Sequence, residues 1–483
     1  MNPSRRGFGR AVVMGGSIAG LLSARVLSEH FEQVVVLERE PLPDGPEPRK
    51  AVPQGRHIHA VLEAGLKVLE ALFPGLVEEL EAGGADRIDM GRDSAWFHFG
   101  AWKPRFISGY ETILCSRPYL EWKVRGRTVS LPNVELRQGY DVQGLLTDAT
   151  RGRVTGVRLE GPDGPETLEA ELVVDATGRG SRAPRWLEQL GHGRPEEEQI
   201  GIDLGYTSRF YERPAHLPRD WKSLALYARA PEGWRSGFIA NVEGGRWIVS
   251  LSGYFGDHPP TDERGFLEFT RYLPTPHIHE ALQGARPLTQ PVTYKIHASR
   301  WLHFERMRSF PEGFVLLGDS VCALNPVYGQ GMTVISLGAW LLGECVAAQA
   351  STHPGSIQGL SRRFQKELAR SIGPSWSLTT TLDLIYPRTQ GRRPPGLKLL
   401  QWSLGNLMDL TSLDEEACER FYKVLHMRGG MEVLLEPRMA RALATYSLKS
   451  LFVPLEQRVN RNRMPGAPGA GSPEDGRRMD DAA

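Results

Sequence analysis

Apolar residues gather into short unbroken blocks at two distant places in the chain. Ala11-Val12-Val13-Met14 is one block and Val34-Val35-Val36-Leu37 follows it closely. Blocks without alternation are the pattern of strands buried on both faces, as in a parallel sheet. Residues 21–29 between them repeat at helical spacing, so the chain opens as strand, turn, helix, strand. Residues 41–53 are rich in proline and charge and read as a loop. Residues 60–80 carry a helical repeat broken at Pro74. Residues 87–106, with WFHFGAWKPRF, are aromatic and strand-like. Residues 117–127 predict a helix with Arg117 near its start. Residues 134–149, 153–159 and 167–174 predict a meander that returns to the sheet.

From about 201 to 294 the pattern changes to short alternating segments such as Trp247-Ile248-Val249-Ser250-Leu251. Frequent turns between them predict an antiparallel sheet. Phe314-Val315-Leu316-Leu317 then restores the unbroken block, followed by Gly318-Asp319, a Pro/Gly-rich loop and an apolar helix. Helical repeats dominate residues 358–455, and the run after Met464 has too few apolar residues to fold. There is no internal repeat. The fold class expected is α/β: a Rossmann-like three-layer nucleotide domain, a mixed antiparallel-sheet domain and a C-terminal helical region.

The two blocks end in turns that carry chemistry. Gly15-Gly16-Ser17-Ile18-Ala19-Gly20 leaves a strand and opens a helix, where backbone amides and the helix dipole attract a pyrophosphate. Gly15 allows the tight turn and Gly20 lets helix and strand approach, while Ser17 replaces the middle glycine of the usual fingerprint. Glu38 ends the second strand eighteen residues past Gly20, where a carboxylate binds a ribose hydroxyl and disfavours a 2′-phosphate. Glycine also suits any tight strand-to-helix turn, and this turn alone does not separate FAD from NAD. Asp319 follows the later block at the carboxyl end of a strand, suited to accept bonds from a polyol such as ribityl. Pro326 to Gly331 forms a turn, and the helix from Met332 points its N-terminus at whatever lies there. Two helix N-termini some three hundred residues apart suit the two ends of one long cofactor, FAD.

The pairing of GD with a Pro-x-x-Gly-x-Gly loop resembles the FAD-dependent monooxygenases of the p-hydroxybenzoate hydroxylase type, over residues 10–350. RKAVPQGRHIH from Arg49, CSRPYLEWKVR, VVDATGRGS and LNPVYGQGM resemble more closely the bacterial flavin epoxidases of polyether and terpenoid pathways. The resemblance implies a cofactor set of Gly15, Gly16, Ser17, Ala19, Gly20, Glu38, Arg39, Arg56, Arg117, Val142, Thr177, Gly178, Asp319, Pro326, Gly329, Gly331 and Met332. It implies FAD-binding segments 10–85, 111–195 and 297–355, a substrate-domain insertion at 86–110, and an antiparallel-sheet substrate domain at 196–296. Residues 356–460 then form the helical region and 461–483 a disordered tail. Two departures stand out. The family's Asp-Gly pair is Thr177-Gly178 here, so either NAD(P)H binds directly or a separate flavin reductase supplies electrons. The histidine common after GD is Cys322, read as a small buried thiol.

Charge and composition remove several classes. With 58 basic and 57 acidic side chains the net charge is +1, which makes no case for nucleic acid or for an anionic membrane. Cys115, Cys322, Cys345 and Cys418 are widely spaced and read as reduced thiols. Arg5-Arg6 resembles a twin-arginine signal, but the run behind it is a strand and a phosphate turn. No uninterrupted membrane-length apolar run appears, and a cytoplasmic protein is expected. Neither HIH nor any other histidine pair has a metal spacing, and no GxSxG is present.

Arg49, Lys50, Arg56, His57 and His59 share one loop, either against the cofactor or as a solvated basic loop. Trp96, Trp102, Trp234, Phe238, Trp247 and Tyr254 either wall a substrate pocket or build a core. The helix with Leu397, Leu400, Trp402, Leu404 and Leu407 is apolar over a wide arc, suited to a channel cap, a dimer surface or the core. The activity implied by the resemblance is transfer of one oxygen from O2, by way of a flavin C4a-hydroperoxide, to a small hydrophobic substrate. Epoxidation of a polyketide or terpenoid olefin leads over aromatic hydroxylation, since no base is evident. The catalytic side chains stay unassigned. A halogenase, a double-bond reductase of the geranylgeranyl-reductase type and a flavin-holding regulator are the alternatives. WFHFGAW lacks the Ile-Pro of the halogenase segment.

Overall fold

The unalternating blocks form the middle of a five-stranded sheet. Its order is Phe314–Leu316, Leu172–Asp175, Phe8–Met14, Phe31–Glu38, Val134–Gln138, and every neighbouring pair is parallel. Val12 lies between Val173 and Val35. Both faces are covered, so Ala11, Val12, Val13 and Val34 are fully buried. This is why these strands need no polar alternation.

This computed structural model describes residues 7–214 and 219–468, with Met431 and Leu435 by backbone alone. The chain passes back and forth between two units. Segments up to Leu80, Arg117–Gly201 and Ala298–Thr380 make the first; Glu81–Ser116, Ile202–His297 and the chain from Thr381 make the second. The twin-arginine residues, and the proposed tail from 469 on, lie outside the described residues. Residues 464–468 are described, and the Ala467 amide donates to Asp220 at 2.8 Å.

In the first unit, helix Ile18–Leu27 packs on Gly331–Thr352 and on Arg117–Val129, and Glu63–Leu72 packs on Gly331–Thr352. Small residues set these approaches: a Cβ on Gly343 would lie 3.1 Å from that of Val26. Gly331–Thr352 is long and apolar enough, by length and composition, to cross a bilayer. No such segment was expected, because Glu344 and Gln349 interrupt the run. Half of its apolar window is buried inside the protein, and Gln349 is itself buried, donating to the Ser356 and Gln358 carbonyls. It serves as a core helix here. Val134–Gln138, expected within the meander, is instead the outer parallel strand. The meander proper is the antiparallel trio Asp141–Thr147, Val154–Gly161 and Gly164–Glu169.

The second unit carries a sheet in the order Glu196–Glu212, Arg246–Gly253, Arg235–Val242, Ser223–Tyr227, Ser94–His98, Ala101–Trp102. Most pairs are antiparallel, but Ser94–His98 runs parallel to Ser223–Tyr227, so the sheet is mixed. Trp102, Trp247, Leu224, Phe266 and Ile278 fill its core. Trp247 stacks on Trp221 at 5.7 Å and donates to Asn241. That resolves Trp102 and Trp247 as core, whereas Trp234 lies at the surface on Asp257. Helices Leu397–Leu410, Glu415–Leu425 and Pro437–Ser450 follow in this unit, while Leu360–Asp383 lies almost wholly in the first.

A Cβ on Gly20 would collide with the Gly15 carbonyl oxygen and press on Val13. Gly20→Ala therefore forces the first helix off its strand. It is expected to cost roughly 1–3 kcal/mol, read as a lower urea midpoint by circular dichroism. An unchanged midpoint would show that the helix lifts without strain.

Candidate cofactor site

The first turn is built by glycine in a literal sense. Gly15 has φ +104°, a left-handed conformation that side chains resist, and a Cβ there would meet the Ala176 carbonyl. The Gly16 amide donates to Glu38 Oε2 at 2.9 Å. Ser17 sits before the helix without capping it; its hydroxyl instead donates to Glu121 Oε2 at 2.6 Å and accepts from Arg117 at 2.9 Å.

Those contacts belong to a buried chain of charges. Arg49 bonds Glu38 at 2.5 Å and Glu121 at 2.8 Å, and Arg117 bonds Glu121 at 3.0 Å. All four side chains are nearly closed to solvent. Burial raises the Glu121 carboxyl, but Arg117, Arg49 and the Ser17 hydroxyl outweigh it and hold the group below its ordinary value. Burial works against the Arg49 cation too, and Glu38 and Glu121 overcome it and raise its pKa. Two donors remain unspent: Arg49 Nε and Arg117 Nε are buried with no partner. A small recess beside them is lined by Gly45, Glu47, Gly55 and Arg125 as well.

The second turn comes to the same edge of the sheet. Asp175, fully buried at the end of its strand, accepts from the Thr177 amide at 2.9 Å and from the hydroxyls of Thr177, Ser181 and Ser320. Ser320 in turn accepts from the Gly178 amide at 2.8 Å. One carboxylate thus joins Thr177-Gly178 to the Gly318–Ser320 turn. Gly318 has φ +66°, and a Cβ there would lie 3.2 Å from that of Ala19. The two turns predicted to hold one ligand are therefore in contact.

Asp319 stands beside Arg179 at 3.6 Å and is about one-third exposed. Burial raises its carboxyl against the opposing pull of Arg179, Arg117 and Arg300. The loop after it is tied by Asn325, whose side chain accepts from the Val327 amide, and it turns at Gly329 with φ +69°. A Cβ on Gly331 would meet no atom within 4 Å. The protein itself does not demand glycine there, which leaves open space over that helix N-terminus. Arg117 Nη1 reaches Met332 Sδ at 2.7 Å and so ties this loop to the first turn.

The structure thus gathers Gly15, Gly16, Ser17, Ala19, Gly20, Glu38, Arg117, Thr177, Gly178, Asp319 and Met332. Pro326, Gly329 and Gly331 complete the loop. Arg39 and Arg56 are exposed, one just past the strand end and one closing the turn Pro53–Arg56. Val142 is buried in the meander, where its carbonyl accepts from Arg182. Three residues of the network were absent from the predicted cofactor set. Glu121 had a local signal, its spacing of four from Arg117 on one helix face. Asp175 stood two residues before Thr177, and Arg49 was read with its loop, either against the cofactor or as a solvated basic segment. Cys322 is buried opposite Trp301 on a short strand pair, and burial raises its thiol well above the usual range. His57 and His59 are held neutral, chiefly by burial, with pKa values of about 3 and about 4. No group of three or more His, Cys, Asp or Glu that could hold a metal occurs among the described residues.

A dinucleotide cofactor fits this set. Glycine leaves the cradle open, Glu38 ends the second strand, and two buried guanidinium donors are unspent.

No protein-family model matches the chain. Protein Rv3254 of Mycobacterium tuberculosis is 33% identical over 392 residues, which is 78% of this chain and 80% of that protein. Digeranylgeranylglycerophospholipid reductase 2 of Methanopyrus kandleri is 22% identical over 384 residues, covering 78% and 86%. Kynurenine 3-monooxygenase of Salinispora arenicola is 26% identical over 377 residues, covering 73% and 74%. Among solved structures, the flavin-dependent brominase Bmp2 aligns with TM-score 0.63 at 14% identity over 91% of this chain and 99% of its own. The p-nitrophenol 4-monooxygenase PnpA from Pseudomonas putida DLL-E4 aligns with TM-score 0.60 at 19% identity, covering 87% and 98%. At these identities the solved structures show a shared fold, the Rossmann-like and mixed-sheet architecture expected above.

Two outcomes are expected. Asp319→Ala should weaken FAD binding by the apoprotein roughly tenfold to a hundredfold in a fluorescence titration, the loss of one charged hydrogen-bond acceptor. Unchanged affinity would remove Asp319 from the site. Stability should also fall as pH drops from 7 to 5. In that window the unfolded chain protonates imidazoles near 6.5, whereas folded His57 and His59 resist until about 3 and about 4. Glu121, held low, keeps its contribution there and loses it only below the ordinary carboxylate range. Urea midpoints at the two pH values check the sign, and His57→Gln should reduce the difference, since His59 and the buried His98 and His426 keep their share.

Proposed function

The chain belongs to the same family as Protein Rv3254 of Mycobacterium tuberculosis, and we propose that it is a FAD-dependent monooxygenase. The observation that carries this reading is the contact between the Gly15 to Gly20 turn and the Gly318–Ser320 turn at one edge of a parallel sheet. The likeness to kynurenine 3-monooxygenase supports the same activity. Each residue then has a task. Glu38 takes the ribose hydroxyls, and the amides of the first turn with Arg49 and Arg117 take the pyrophosphate. Asp319 accepts from the polyol chain. The N-terminus of Gly331–Thr352 would stabilise negative charge that a reduced flavin gains, were its ring held at this loop. When bound, the flavin supplies reduction of O2 and transfer of one oxygen atom.

The protein's own part is to bind, orient and exclude water. Asp175 and Arg117 do this by fixing the two turns and the loop against one another. The substrate we favour is a hydrophobic polyketide or terpenoid olefin, converted to an epoxide. Hydroxylation of a phenol calls for a base, and the sequence presents none in a recognisable catalytic pattern. Thr177, in place of the hydroxylase aspartate, leaves the electron donor as either NAD(P)H or a partner flavin reductase.

A second reading has one observation in its favour. The likeness to digeranylgeranylglycerophospholipid reductase 2 spans 78% of the chain, and a double-bond reductase would use the same cofactor crevice without oxygen. Incubation with candidate olefins, FAD, reductant and 18O2 separates the two. One 18O atom in the product is expected. A product that gains two hydrogens and no 18O would overturn the monooxygenase reading in favour of the reductase. The same incubation with and without an added flavin reductase identifies the donor.

A further inference from the structure

The second unit leaves large apolar side chains in solvent on two helices that pack against each other, Leu397–Leu410 and Pro437–Ser450. Leu399 is 66% exposed, Leu400 50% and Trp402 45% on the first. Leu448 and Leu451 are each 63% exposed and Phe452 82% at the end of the second. The core takes the side of the first helix that carries Leu397, Leu404 and Leu407, with Leu400 at its edge, and the side of the second that carries Met439 and Tyr446; Leu399 and Trp402 lie away from the first, Leu448 away from the second. Leu399 and Trp402 on the first helix, and Leu448 with Leu451 and Phe452 at and just past the end of the second, are apolar side chains that the fold does not use. Exposed aliphatic and aromatic side chains gathered in this way mark an interaction surface.

The charges around them choose the partner. Residues 387–402 hold Arg388, Arg392, Arg393 and Lys398 with no acid, and residues 437–452 hold Arg438, Arg441 and Lys449 with no acid. Arg388, Arg393 and Arg438 are engaged by Phe255, by backbone carbonyls and by Glu416. Arg392, Lys398, Arg441 and Lys449 are exposed and pair with no carboxylate among the described residues. A twofold dimer through this face would set these cations against their own copies, with no acid in either stretch to answer them. An anionic lipid surface answers both features at once: headgroups take the cations, and the apolar tips enter the boundary beneath. The tryptophan and lysines flanking the leucines are the side chains that settle at that depth.

We propose that these two helices dock the protein on anionic lipid membranes, lying in the interface. At 14 residues each they are shorter than the roughly 20 needed to span. The neutral total of the chain hides this basic patch, because acids elsewhere cancel it. The proposal is independent of the flavin reading.

Sedimentation with lipid vesicles tests it. The full chain should bind vesicles of phosphatidylcholine with about one-third phosphatidylserine and bind pure phosphatidylcholine far less, with binding falling as salt rises. Lys398→Glu with Lys449→Glu should lower the partition coefficient roughly tenfold or more. Leu399→Ser with Phe452→Ser should lower it by a similar factor, while circular dichroism stays unchanged because these positions are exposed. Equal binding to both vesicle types, or no binding to either, overturns the proposal. So does a solution dimer that Phe452→Ser disperses while vesicles are ignored, which would assign the face to a second copy.

Discussion

The arrangement on which the first unit depends is the buried run of alternating charge Glu38, Arg49, Glu121, Arg117. None of these side chains could stay charged alone at that depth, because desolvation of a single ion outweighs any weak contact. Together they neutralise one another across three separate stretches of chain: a strand end (Glu38), a loop (Arg49) and one helix (Arg117 and Glu121). Ser17 and the Gly16 amide and carbonyl are drawn into the same network. The phosphate turn is therefore held on its outer side by charge, as it is held on its inner side by the close approach of Gly20 to Gly15. Both arginines keep an unspent Nε at this point, so the groups that maintain the fold are also those poised to receive an anion.

Asp175 plays the corresponding part for the other half of the crevice with hydrogen bonds alone. Its carboxylate gathers one amide and three hydroxyls from two turns well over a hundred residues apart. The two turns approach so closely that a Cβ on Gly318 would lie 3.2 Å from that of Ala19. What remains adjustable is the carboxyl of Asp319, raised by its surroundings and partly open to solvent.

Much of this was legible in the sequence, for a physical reason. The turn from Gly15 to Gly20, Glu38, Gly318-Asp319 and the loop through Gly331 each depend on a few consecutive residues and on backbone conformations that only glycine takes freely. Such signals are local. The strands of the parallel sheet were equally plain because burial on both faces removes polar positions. Arg49 and Glu121 were not legible as a pair, since 72 residues separate them and only tertiary contact reveals their bond. Val134–Gln138 was misassigned for the same reason: its half-buried edge position resembles a meander strand, and only pairing with Phe31–Glu38 shows otherwise. Trp247 could serve as core or as pocket wall by its residue type, and its stacking on Trp221 decides for the core.

Hydropathy misleads in both directions along this chain, and the cause is the same each time. Gly331–Thr352 passes for a membrane span by length and composition, yet half of its apolar window is buried in the protein, and the buried Gln349 caps carbonyls downstream. Leu397–Leu410 and Pro437–Ser450 are too short to span, and the first suited a channel cap, a dimer surface or the core by its pattern; leucines, a tryptophan and a phenylalanine on or next to them stay in solvent. What distinguishes them is which sides of each helix find partners within the fold. A long apolar helix with its small residues facing neighbours is satisfied by packing. A shorter one with apolar residues on two sides can satisfy only one of them, and unpaired lysines and arginines around the other define what surface can cover it.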